Sequence, residues 1–153
     1  MQVFVPYKDA YQTAMILYVD KRRFHKQIVE CNQIINVIEC KKSGWKNHPI
    51  VKMYKNHVDW LKLYVQIFKY LDYFVNAQYE IDKTSFYDGL LILRELARKC
   101  APDFLTNEFC DQHKRRLFTK NEKAFELFKG YGKSYENWYF VDGKVVKYKQ
   151  PIK

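Results

Sequence analysis

Apolar residues recur every three or four positions through most of the chain, and the interruptions of that rhythm mark its elements. Residues 2 to 7 form a short apolar run ending around Pro6. Asp9 is placed to cap a helix reaching about Tyr18, and Asp20 to cap the next. Within that second helix Phe24, Ile28, Cys31, Ile35 and Ile38 fall on one face. Lys41 to Gly44 then puts basic residues in the last turn and a glycine after it, which stops the helix.

GWKNHP reads as a loop, with Pro49 suited to the first turn of a following helix. That helix is predicted to run unbroken to about Asn76, with Val51, Tyr54, Val58, Leu61, Val65, Phe68 and Leu71 or Phe74 inward. Its aromatic stripe is core by spacing. Thr84 to Lys99 forms another periodic helix, closed by Ala101 and Pro102. Thr106 begins a helix carrying Asp111 to Lys120, a short one follows over Asn121 to Phe128, and Gly130 and Gly132 break the pattern. In NWYFVDGKVVKY the residues favour strands, and Asp142–Gly143 is a tight hairpin signal. The fold class is therefore mainly α, a compact single-domain helical bundle with a short C-terminal β-hairpin, and residues 1–153 form one domain.

Composition narrows the class. The chain has 153 residues, 48% hydrophobic and 18% aromatic, which excludes a disordered polymer and suffices for one core. No apolar run is long enough for a membrane span, and MQVFVPYKDAY lacks the basic-then-apolar layout of a secretory leader, so the expected compartment is the cytoplasm, or the nucleus of a eukaryotic host. Cys31, Cys40, Cys100 and Cys110 are too widely spaced for zinc knuckles and read as buried thiols. No metal or organic cofactor is expected.

The net charge is +10, and its distribution carries more than its sum. Residues 18 to 55 hold nine lysines and arginines against three carboxylates, and residues 110 to 133 hold seven against three. The stretch between them, 56 to 109, is mildly acidic, with six against eight. Two basic blocks converging on one side would make a face for a polyanion. Lysine-rich composition explains the lysines, but not the local pairs Arg22, Arg23 and Arg115, Arg116.

Within DKRRFHKQIVE, Arg23 and Glu30 share a helix face, and Lys26 stands one turn before Glu30. By spacing, Lys26 and Glu30 could be a surface pair worth about 0.3–0.5 kcal/mol. Alternatively Glu30 lies inside a basic cleft, where a carboxylate can move protons or stabilise a cation. The histidines make no metal-ligand spacing, and the serines and glycines make neither a nucleophile elbow nor a phosphate loop. Composition and periodicity alone identify no enzyme.

Four segments together do carry a resemblance: MQVFVPY, VDKRRFHKQIVECNQII, GWKNHPIVKMY and DQHKRRL. In this order they resemble a family of small bacterial and viral proteins placed with the pyrimidine-dimer DNA glycosylase/AP lyases of the phage endonuclease V type. The resemblance implies a small, basic, all-helical fold with an aromatic C-terminal segment, here Tyr131 to Tyr139. It also implies a DNA-repair glycosylase, with or without AP-lyase activity, acting on damaged double-stranded DNA, and a monomer is expected. In that chemistry an N-terminal α-amine attacks the sugar C1′, forms an imine and cleaves the strand by β-elimination, assisted by a glutamate on an early helix. By motif that glutamate is Glu30, and Arg22, Arg23 and Lys26 match the preceding basic cluster.

Gln2 is too large a neighbour for efficient removal of the initiator, so the imine would form on Met1. An α-amine has a reference pKa of about 7.7–8.0, which leaves roughly a tenth neutral at pH 7, against under a thousandth for an ordinary lysine. In GWKNHP, Trp45 could stack on a base or wedge into a duplex, and Lys46, Asn47 and His48 could bond bases or phosphates. The structural alternative is that Trp45 packs the loop and His48 caps the next helix. His113, Lys114, Arg115 and Arg116 are phosphate contacts by resemblance, or else a solvated helix face. Two other functions fit the same residues: a non-catalytic DNA- or RNA-binding module, and a nucleoside or modified-base hydrolase using Glu30 with His48 or His113.

Overall fold

The computed structural model describes residues 1–40, 43–77 and 83–149. Within these, six α-helices are followed by a hairpin: α1 Ala10–Leu17, α2 Lys21–Cys40, α3 Pro49–Tyr54, α4 Val58–Asn76, α5 Lys83–Lys99 and α6 Asn107–Lys120, then β1 Glu136–Val141 and β2 Lys144–Lys149. The mainly α class with a terminal hairpin is as the sequence predicts. Lys41 and Lys42, part of the expected basic stop to α2, lie outside the described residues.

Local signals set the helix starts. Asp9 accepts from the Tyr11 N–H, Asp20 from the Arg23 N–H, and Thr106 from the Phe109 N–H. Each such cap is worth about 1 kcal/mol, because it pairs a backbone donor the helix cannot. Asp142 and Gly143 both take positive φ, 52° and 75°, the twist that lets a two-residue turn join antiparallel strands.

Two predicted boundaries move. The long helix expected from Pro49 to Asn76 is two, broken at residues 55–57. The apolar rhythm passes from Tyr54 to Val58 with a spacing of four whether or not the backbone continues, so periodicity could not reveal the break. The short helix expected over Asn121 to Phe128 is instead a turn followed by a 3-10 helix over Glu126–Tyr131. Asn121 directs that change by accepting from the Ala124 N–H through Oδ1.

Helix α4 packs against α1, α2 and α5, and its aromatic stripe is core. Phe24 of α2 stacks on Phe68, which stacks on Tyr64, with centroids 4.7 and 4.3 Å apart. Cys31 and Cys110 are buried, but Cys40 is exposed and Cys100 only half-buried, so the reading of four buried thiols is corrected. Cys40 falls at the end of α2, beyond the packed stretch.

Candidate active site

Residues 2 to 5 belong to no helix or strand, and side chains supply bonds to their backbone. Gln27 Oε1 accepts from the Phe4 N–H at 2.7 Å, and Gln27 Nε2 donates to the Gln2 carbonyl at 3.1 Å. The Tyr64 hydroxyl donates to the Phe4 carbonyl at 2.7 Å. The Val5 N–H donates to His113 Nδ1, also at 2.7 Å. At the front, the Tyr139 hydroxyl of β1 donates to the Met1 carbonyl at 3.0 Å. Burial raises the Tyr139 phenol pKa, which keeps it the donor.

This threading delivers the terminus to α2. The Gln2 N–H donates to Glu30 Oε2 at 3.2 Å, while Lys26 Nζ stands 3.7 Å from Glu30 Oε1. The side chain of Glu30 is 13% exposed and that of Lys26 68%. Both sequence alternatives therefore have a part: the pair exists, but its carboxylate is drawn into the protein. Met1, Gln2, Phe4, Arg23, Lys26, Gln27, Glu30 and Lys120 line one cleft.

Arg23 is aimed by Asp20, whose carboxylate it meets at 2.7 Å and which also accepts from Asn121 Nδ2 at 3.1 Å. Desolvation of Asp20 is outweighed by these bonds, and its pKa lies below the usual range. The GWKNHP loop closes on the same region. His48 caps α3 through Nδ1, which accepts from the Ile50 N–H at 3.1 Å. Its ring lies 5.7 Å from Tyr139 and 5.4 Å from Trp45. Desolvation and then the α-ammonium of Met1 lower its pKa, so the loop and the terminus share one electrostatic environment. Trp45 is 46% exposed, and Lys46 and Asn47 are exposed, available to an external partner.

The DQHKRR segment divides. His113 is 1% exposed between the rings of Phe4 and Phe109, and burial, reinforced by Arg116, lowers its pKa to about 3. Arg116 is buried as well, donating to Asn137 Oδ1 and the Ser134 carbonyl. Both are buried inside the protein, His113 holding the Val5 N–H through Nδ1 alone, so the segment as a whole does not face outward as expected for phosphate contacts. Lys114 pairs with Asp111 at 3.0 Å and lies over the rings of Tyr7 and Tyr131, and Arg115 donates to the Tyr131 carbonyl. Arg22 is exposed on α2.

Sequence reading missed Gln27, Lys120 and Tyr139. Gln27 had a signal, since it sits one turn from Arg23 on the face leading to Glu30. Tyr139 fell within the aromatic segment the resemblance implies, without a stated partner, and Lys120 had no signal, because only the tertiary fold brings it to the cleft.

The fold and site define a small, basic, mainly helical protein that gathers its first residue, a shielded carboxylate and several cations in one cleft. Residues 1–70 match the family model described as pyrimidine dimer DNA glycosylase, which bears out over that span the resemblance seen in the sequence. No curated protein and no solved structure matches the chain. The matched span contains Met1, Arg23, Lys26, Glu30 and His48; α6 and the hairpin lie beyond it. Among the described residues no helix is long and apolar enough to cross a membrane.

Proposed function

We propose that this protein is a DNA-repair glycosylase with AP-lyase activity, acting on damaged double-stranded DNA such as that carrying pyrimidine dimers. The observation that carries the reading is the shared cleft of Met1, Arg23, Lys26 and Glu30. The family match over residues 1–70 supports a glycosylase acting on DNA. Met1 supplies the amine that attacks C1′ of the sugar. Glu30, fixed by the Gln2 N–H, stabilises the cationic sugar and imine and accepts the proton released before elimination. Arg22, Arg23 and Lys26 hold flanking phosphates, and Trp45 on its exposed loop stacks against an unpaired base or wedges the duplex open.

A duplex carrying one cyclobutane dimer or one abasic site, incubated with the protein and sodium borohydride, tests this. A covalent protein–DNA adduct, with strand cleavage when borohydride is left out, is the expected result. Neither adduct nor cleavage, under conditions that trap a known lyase, overturns it. Retained salt-dependent binding would then favour the non-catalytic module, and activity on free nucleosides the hydrolase.

A further inference from the structure

Lys120 is the last residue of α6. The Asn121–Asp20 hydrogen bond, joining positions 101 residues apart, pins this end of α6 beside the start of α2. Lys120 thereby lines the cleft with Met1, Gln2 and Glu30, although its residue as a whole stays exposed. The other cationic side chains of the cleft have partners: Arg23 is bound to Asp20, and Lys26 faces Glu30. Among the described residues Lys120 has neither an ion-pair nor a hydrogen-bond partner.

The cleft also holds a polar group with nothing to bond. Gln2 is 6% exposed, and neither polar atom of its carboxamide has a hydrogen-bond partner among the described residues. Buried polar atoms are usually satisfied, so this carboxamide, enclosed behind the cleft, is an exception.

We propose that Lys120 is a second imine-forming amine in this cleft, so that strand cleavage at an abasic site does not require a free Met1 amine. The proposal rests on the lyase reading above and names a further catalytic residue for it. Partial desolvation, then the positive charges of Arg116, Arg23 and Lys26, lower the Lys120 pKa to about 8, with Glu30 opposing. About a quarter of the side chain is then neutral near pH 7.5, far more than of an ordinary lysine.

The step balances without oxidant or reductant. The neutral Lys120 nitrogen adds to the C1′ aldehyde carbon of the open-chain abasic sugar, and the resulting carbinolamine oxygen takes a proton and leaves as water. Glu30 accepts a proton from C2′ of the protonated imine, and the freed electron pair makes the enamine. That pair then expels the phosphate from C3′. Addition of one water releases the unsaturated aldehyde and restores the amine.

The test uses full-length protein, free and α-acetylated at Met1, trapped with borohydride on an abasic duplex, with the adduct located by peptide mass mapping. The proposal expects modified Lys120, an adduct yield in acetylated protein within about threefold of the free form, and at least a tenfold loss when acetylated protein also carries Lys120→Arg. Arginine keeps the positive charge but cannot form the imine. The Lys120 adduct rate should also rise with pH through about 8. An adduct on Met1 alone, lost on acetylation, overturns the role of Lys120 and leaves the lyase reading standing. No adduct in any form overturns both.

Discussion

Glu30 holds the backbone one residue beyond the terminal amine, through the 3.2 Å hydrogen bond from the Gln2 N–H to its Oε2. The carboxylate is thus a fastening for the terminus and, in the proposed reaction, also the acid/base group. A change at Glu30 must separate these two jobs to be informative.

Glu30→Gln does so, because the amide oxygen still accepts from the Gln2 N–H. Single-turnover cleavage should fall on the order of 10²–10⁴-fold, the usual range for a lost acid/base group. Affinity for abasic duplex should stay within about threefold, and the thermal midpoint should be nearly unchanged. A large loss of affinity in folded protein would assign Glu30 to structure alone.

Arg22 is exposed and should contribute to DNA binding through phosphate charge. Arg22→Ala should reduce the slope of log K against log salt by about 0.9 and weaken binding to different sequences alike. Fluorescence anisotropy across a salt series checks this. An unchanged slope would place Arg22 off the DNA path.

The unbonded Gln2 carboxamide carries a stability cost. Gln2→Met keeps the volume and the backbone bonds while removing both unpaired polar atoms, so it should stabilise the protein by about 1–3 kcal/mol. Urea unfolding measures it. A loss of stability would mean that the carboxamide is satisfied by buried water.

His113 predicts an acid limit. Its folded pKa of about 3 lies below the ordinary value, so the unfolded chain binds the extra proton first as pH falls. The stability from neutral, buried His113 is complete above about pH 6.5. It is lost on acidification toward pH 3, at up to about 1.4 kcal/mol per pH unit. His113→Asn retains an acceptor for the Val5 N–H but does not titrate. Its urea midpoint should vary less between about pH 6.5 and 4 than that of the unaltered protein.

Much of the fold was legible because caps and turns are local chemistry. Asp9, Asp20, Thr106 and Asp142–Gly143 act within a few residues, and each does what its sequence position suggests. The break before Val58 was invisible because the apolar spacing is the same with or without it. At the site, DKRRFHKQIVE revealed Arg23, Lys26 and Glu30 through helical spacing on one face. His113 and Arg116 misled for the opposite reason: a polar residue looks the same in sequence whether its partner is water, a phosphate or a core carbonyl. Lys120 depends on the Asn121–Asp20 cross-link, a pairing that no periodicity encodes.

The Tyr139–Met1 bond spans 138 positions, so Met1 is fastened by a residue made long after it. During synthesis the helix bearing Glu30 leaves the ribosome long before Tyr139 does. The terminus can therefore be held by Tyr139 only after β1 has been made. A product released before β1 would carry Met1, Glu30 and Lys120 yet lack the hydroxyl that holds the terminus in place, so the hairpin sets when the Met1 side of the cleft can be fixed.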